Sequence, residues 1–287
     1  AATKEKGKTI LEEFGMDPGI DLVLGRKCLD GLDEVQAFHS YGAGFPEKES
    51  ANNPIRYKFT WSVIGVMRSY LRPAVVIKEG MDVAVKADEM FSPVNTHILD
   101  LPEMGGPLEC FPNGDSSHFA KAFGIRGSVK DMGRYICRWP GHRAFWEVMA
   151  KCGFLSDEPI RVGNCDVAPT AFCAALLGSQ EQFFYGYGER DVALVRTDAR
   201  GLKNGKPWRV VCQVVDKRDL STGLTSMQRT VGFPASIGAR MILDGRLAKK
   251  GIVSPSEVPF DEFMKELGHR GITWNREEGP WDGKLEP

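Results

Sequence analysis

The sequence has no Gly-x-Gly-x-x-Gly run, and the Gly-x-Gly that follows an expected strand, Gly42-Ala43-Gly44, continues into Phe45-Pro46-Glu47. A pyrophosphate cradle needs a glycine turn that opens at once into a helix N-terminus. This segment therefore reads as a turn near a ligand and not as a dinucleotide fingerprint. The P-loop, His-Glu-x-x-His and Gly-x-Ser-x-Gly signatures are missing too, which removes those nucleotide, zinc-protease and serine-hydrolase readings. Only five histidines occur, scattered at 39, 97, 118, 142 and 269, so no metal site is suggested. The seven cysteines are odd in number and contain no Cys-x-x-Cys, which argues against a disulfide framework or zinc ribbon and for a reducing cytosol. With a formal net charge of −1, charge alone points to neither nucleic acid nor an anionic membrane. No apolar run approaches the ~20 residues of a membrane helix.

What remains is an ordinary globular composition, 42% hydrophobic and 26% charged, long enough for one large domain or two smaller ones. The opening pattern is strand (Thr9 to Phe14), tight loop (Gly15 to Gly19), then helix (Ile20 to about Leu32, apolar at 3–4 spacing). That order is what an α/β sheet supplies at its carboxyl edge. Strands are expected at 35–41, 57–62 and 131–138, with a hairpin of 75–77 and 83–85 around Glu79-Gly80. Helices are expected at 63–71, 142–152 and 167–177. Two further strands, 190–196 and 208–215, flank Asn204-Gly205, a hairpin signal across a connection longer than two residues. A long helix, 223–247, is expected to be interrupted at Gly232-Phe233-Pro234 and to carry a small-residue face at Ala235, Gly238 and Ala239. A last helix, 260–268, precedes a Trp-containing tail that reads as a surface arm. The fold class is therefore α/β: a remnant of a Rossmann-type parallel sheet plus a larger α+β domain with a mixed sheet. Residues 1–33 and 223–287 belong to the first unit and 34–222 to the second.

Several residues sit where chemistry is plausible, each beside a plainer role. Asp17 could hydrogen-bond a substrate amine or move a proton, or it could cap the helix that follows Pro18. Tyr41 ends a strand; its phenol could orient a carboxylate or simply seal a domain seam. Arg138 precedes the turn Trp139-Pro140-Gly141-His142, where a guanidinium can grip a carboxylate bidentately or form a structural ion pair. Asn113 and Asp115 to Ser117 read as turn and capping chemistry.

Three motifs, Asp17-Pro18-Gly19-Ile20-Asp21, Ser40-Tyr41-Gly42-Ala43-Gly44-Phe45-Pro46-Glu47 and Asn53-Pro54-Ile55-Arg56-Tyr57-Lys58-Phe59-Thr60-Trp61-Ser62, together resemble the saccharopine dehydrogenase family. So do Phe111-Pro112-Asn113-Gly114-Asp115-Ser116, Arg138-Trp139-Pro140-Gly141-His142, Gly153-Phe154-Leu155-Ser156-Asp157 and Gly232-Phe233-Pro234-Ala235. The resemblance implies NAD- or NADP-dependent hydride transfer at the C–N bond of an amino acid through an imine, in a cytoplasmic homodimer. It maps substrate contacts to Asp17, Ser40, Tyr41, Gly42, Ala43 and Arg138, with Asp17 and Tyr41 catalytic, and cofactor contacts to Met16 and Gly19. The family's usual Cys is Gly42 here, so any thiol role is lost and the substrate can differ. The family's dinucleotide loop would lie upstream of Ala1, so this chain alone is expected to bind dinucleotide poorly. The other reading is a non-catalytic amino-acid-binding or dimeric interaction module using the same residues.

Overall fold

The computed structural model describes residues 2–287. After a short helix α1 (Ala2–Glu5), strand β1 (Thr9–Leu11) leads through the Asp17 loop into α2 (Ile20–Leu29), and β2 (Glu34–Pro46) then runs the width of the molecule. The middle of the chain supplies α3 (Val63–Ser69), β3 (Ala74–Lys78), β4 (Met81–Val85), β5 (His97–Leu99), β6 (Leu108–Pro112), α4 (Ser116–Ala122) and β7 (Asp131–Arg138). It continues with α5 (His142–Lys151), a hairpin of β8 (Ile160–Val162) and β9 (Cys165–Val167), and α6 (Pro169–Gly178). The long hairpin β10 (Asp191–Lys203) and β11 (Lys206–Lys217) precedes α7 (Ser226–Leu243), β12 (Gly251–Val253), α8 (Phe260–Gly268) and β13 (Trp274–Pro280).

Two sheets organise these pieces. β1 and β12 form a two-stranded parallel sheet, Thr9 to Leu11 against Gly251 to Val253. The nine-stranded mixed sheet runs β13-β11-β10-β2-β7-β3-β4, with β6 also on β7 and β5 on β6; only β2 and β7 are parallel. The fold is thus the expected one, a small parallel sheet beside a larger mixed sheet. One face of the large sheet packs on α2, α7 and α8 through Phe38, Val195, Val214, Ile237 and Phe263. The opposite face buries Tyr41, Phe45, Cys110, Cys137 and Trp139. A third core, around Tyr57, Tyr70, Phe111 and Trp146, lies under α3, α5 and α6.

Local details depart from expectation in instructive ways. Gly42 and Gly44 do not form a turn: they lie inside β2, paired with Val195 and Ala193. Residues 57–62 are not a strand. Their aromatic alternation reflects Tyr57 and Phe59 packing into the third core, while their backbone partners are loop groups, Tyr57 O receiving Asn53 Nδ2 (2.8 Å) and Phe59 N donating to Phe183 O (2.8 Å). The β10–β11 connection is two residues after all, since Lys203 pairs with Lys206; Asn204 (φ 52°) and Gly205 (φ 72°) take the left-handed pair that a tight hairpin requires. α7 continues through Pro234, which removes one backbone donor without ending the helix. Its entry is fixed by a Thr225/Gln228 capping box and by the buried Asp191 carboxylate, which accepts from Ser226 N (2.8 Å) and Ser226 Oγ (2.7 Å). Of the small-residue face, Gly238 packs on Leu11 and Phe14, whereas Ala235 and Ala239 are exposed. The tail is not a free arm: β13 pairs along β11, and its run of charged residues suits a sheet edge. Among the described residues, no helix is long and apolar enough to cross a membrane.

Candidate functional site

The Asp17 loop is built by backbone. Gly15 N donates to Pro18 O (3.0 Å) and Ile20 N to Gly15 O (2.9 Å). Gly19 sits at φ 142°, and a Cβ there would lie 2.0 Å from Gly15 O, so only glycine closes the loop and starts α2. Asp17 does not cap that helix. Its carboxylate turns to the large sheet, where Arg134 of β7 donates to Oδ1 and Asn113 Nδ2 stands 3.4 Å from Oδ2. The same Nη2 of Arg134 reaches Asp21 Oδ2 at 3.0 Å, and Asp21 Oδ1 accepts from Gly19 N at 2.7 Å. Arg134 lies flat on Phe119, its guanidinium carbon 4.0 Å from the ring centroid. All three charged side chains are buried, so two carboxylates share one guanidinium. Burial pushes the Asp21 carboxyl up, to about 7, against the pull of the Gly19 and Leu22 amides, and it brings Arg134 down to about 10. Gly42 forms the floor: a Cβ there would sit 2.1 Å from Asp17 Oδ2, so a side chain at this position is incompatible with this placement of Asp17.

Strand alternation sorts the remaining candidates. Ser40 pairs with Arg134 in the parallel β2–β7 ladder and shares its face. Arg138 lies on that face too, four residues further along β7, about 13 Å at ~3.3 Å per residue. Tyr41 and Ala43 point through the sheet to the other face. There the Tyr41 hydroxyl meets His97 Nε2 (3.2 Å) and its ring stacks on Tyr135 (5.5 Å). The structure therefore brings together Asp17, Gly19, Ser40 and Gly42, with buried Met16 behind them, and separates Tyr41 and Ala43 from that group.

Arg138 is the unusual member. It is buried, its guanidinium lies 4.6 Å above the Tyr57 ring, and Nη1 donates to the carbonyl of Cys137 (2.9 Å). Its Nε has no partner, and no carboxylate pairs with it among the described residues. The buried hydroxyl of Tyr185, on a loop that feels the charge of Arg138, Glu189 and Asp191, is also unpartnered. Lys58 by contrast is spent: its Nζ bonds both oxygens of Glu189 (2.6 and 2.7 Å). His142 accepts from Tyr70 OH at Nε2 and donates from Nδ1 to Ile55 O, both at 2.7 Å. Burial and the nearby Arg138 bring it down to about 3, so it is a neutral fixture and not a proton shuttle.

Arg134, Asp21 and Tyr185 were not singled out from sequence. Arg134 could have been found, because it stands four residues before Arg138 on a strand whose even positions face one way.

The saccharopine dehydrogenase C-terminal domain family matches residues 15–272. The bovine mitochondrial alpha-aminoadipic semialdehyde synthase is 25% identical over 335 residues, covering 95% of this chain and 36% of that protein, so the chain spans about a third of that relative. The NADP⁺-dependent, L-glutamate-forming saccharopine dehydrogenase of Pyricularia oryzae is 24% identical over 93% of this chain and 72% of its own length. Among solved structures, apo saccharopine dehydrogenase (L-Glu forming) from Saccharomyces cerevisiae superposes with a TM-score of 0.80 at 23% identity, over 96% of this chain and 75% of that one. Homospermidine synthase of Legionella pneumophila, solved with NAD, gives a TM-score of 0.59 at 11% identity, over 97% of this chain and 66% of that one. On the extent of the family match, the chain belongs to the saccharopine dehydrogenase family, as its C-terminal domain.

Proposed function

We propose that this chain is the substrate-holding part of an NAD- or NADP-dependent oxidoreductase that acts at the C–N bond of a carboxylate-bearing amino acid. The observation that carries this is Arg138. A guanidinium stays charged at any ordinary pH, and a buried one without a counter-ion costs several kcal/mol. Its free Nε and the free Tyr185 hydroxyl are donors that a ligand carboxylate would satisfy. At the other end of the same sheet face, the Arg134 cluster carries one more carboxylate than cation, which suits an ammonium. The chain's own residues thus bind and orient an amino acid by both its charges. They do not suit a dinucleotide's phosphates: Gly42 and Gly44 are strand residues covered by Asp17 and Met227. A nicotinamide cofactor's phosphates would have to be held outside these residues, and Met16 and Gly19 would meet only its edge.

The test is dinucleotide reduction by the protein purified from its native source, with saccharopine, lysine and carboxyalkylated polyamines as substrates, beside this chain alone. A nicotinamide absorbance change is expected from the native protein only. A signal from the chain by itself would overturn the division of labour. Silence from the native protein with every substrate would favour the binding or interaction module, whose sign is amino-acid binding without turnover.

We also propose a homodimer. α5, α6 and the β8–β9 hairpin expose Val148, Phe154, Ile160, Val162, Phe172 and Leu176 together, and a two-stranded hairpin is marginal without a cover. Phe172→Asp is expected to convert the dimer to a monomer in sedimentation. A wild-type chain that sediments as a monomer removes the proposal.

A further inference from the structure

β6 and β7 run antiparallel, with Glu109 opposite Arg138, Cys110 opposite Cys137, Phe111 opposite Ile136 and Pro112 opposite Tyr135. One residue further on, Asn113 N donates to Arg134 O (2.7 Å). In an antiparallel ladder, opposed residues alternate between pairs that exchange both backbone hydrogen bonds and pairs that exchange none. The bond from Asn113 to Arg134 sets the phase: 111/136 and 109/138 are bonded pairs, and 112/135 and 110/137 are not. Pro112, which has no N–H, falls in a non-bonded pair, as that phase requires. Cys110 and Cys137 therefore occupy the closer kind of pair, with Cα atoms about 4.5 Å apart. Cross-strand disulfides span about 4.4–6.8 Å between Cα atoms. The two sulfurs already touch, Sγ to Sγ 2.8 Å, inside an apolar core that offers neither a better partner.

We propose that Cys110 and Cys137 are a modification site, joined as a cross-strand disulfide when the protein meets a hydroperoxide. One thiol, as thiolate, attacks the O–O bond; with hydrogen peroxide this gives a sulfenic acid and one water. The facing sulfur then displaces the sulfenic oxygen, which leaves as a second water. Two thiols lose two electrons and two protons, and the peroxide takes up both. The bond would tie β6, the strand that leads into Asn113, to the strand that carries Arg134 and Arg138. Arg138 already donates to the carbonyl of Cys137, so the oxidised pair would fix the spacing of the groups placed in the candidate site. Both thiols are fully buried, and burial raises the Cys110 thiol well above its ordinary range. The reaction is therefore slower than oxidation of the exposed Cys152 and Cys165.

The experiment uses the chain with Cys152→Ser and Cys165→Ser, both at exposed positions, so that only the five buried thiols remain. After hydrogen peroxide, the protein is denatured, alkylated and peptide-mapped. Expected are three alkylatable thiols in place of five and a peptide pair joined through Cys110 and Cys137. Dithiol reductant should reverse the link, and the oxidised form should melt several degrees higher. In the same background, Cys110→Ala should retain all four of its thiols under the same exposure. If this variant fails to fold, the map of the parent decides. Five free thiols, after an exposure that fully oxidises Cys152 in the unmodified chain, would overturn the proposal. So would a link through any other pair, such as Cys28 with Cys212.

Discussion

Arg138→Met in the native protein is expected to raise KM for the amino acid by ~10²-fold or more while dinucleotide binding is unchanged. Truncating one partner of a buried charge pair costs about 2–5 kcal/mol, and each 1.4 kcal/mol is a factor of about ten. Arg138→Lys should recover little of this, because an ammonium cannot present two parallel donors to a carboxylate. The free protein should respond in the opposite sense. Without ligand, Arg138 is a buried cation with an idle Nε, so an apolar side chain of similar reach removes a desolvation cost. The thermal midpoint of Arg138→Met should be equal to or above that of wild type. Steady-state kinetics and a melting curve check the two halves separately. A lower midpoint with unchanged KM would make Arg138 a structural residue and empty the proposed site of its anchor.

The contrast between Arg138 and Tyr41 shows how far sequence reasoning reached. The β7 strand, 131–138, was legible to the residue, because its apolar run is bounded by charge on one side and Pro140-Gly141 on the other. The motif Ser40-Tyr41-Gly42-Ala43 reads as four contacts in a row, yet a strand sends neighbours to opposite faces. Ser40 and Gly42 reach Asp17's side, and Tyr41 and Ala43 reach the other core. The parity was available; the motif hid it. Arg134 was readable as a neighbour of Arg138 on one strand face, but its role was not: its carboxylate partners lie 117 and 113 positions away, and no local pattern encodes a contact of that range. β13 was missed because Trp274-Asn275-Arg276-Glu277-Glu278 has almost no apolar content. An edge strand bonded on one side does not need it. The large mixed sheet and the long helix α7 were readable, since long periodic segments carry that information themselves.

Arg134→Met is expected to cost about 3–5 kcal/mol of folding stability near neutral pH, the usual penalty for removing one partner from a buried ion cluster. The reason lies in what is left behind. Asp17 would keep only Asn113 as a side-chain partner, and Asp21 only the backbone amides around Gly19. Both would stay buried, close enough to have shared one guanidinium. Neither could ionise cheaply, and the Asp21 carboxyl, which burial already raises to about 7 in the wild type, would be pushed higher still above its unfolded value of about 3.9. The sign follows from proton counting. Between the unfolded and folded values the native variant holds more protons than the unfolded chain, so its stability falls as pH rises through that window. Relative to wild type, the deficit should be small at about pH 5 and largest at about pH 8. Arg134 itself, near 10, stays charged throughout in the wild type. Adding Asp21→Asn to Arg134→Met removes one of the two stranded charges, and should recover part of the loss at the higher pH and little at the lower. Urea midpoints for the three proteins at both pH values measure this. A deficit that does not change with pH would mean that Arg134 contributes packing over Phe119 and not charge, and Asp17 would then have no electrostatic reason to stand where it does.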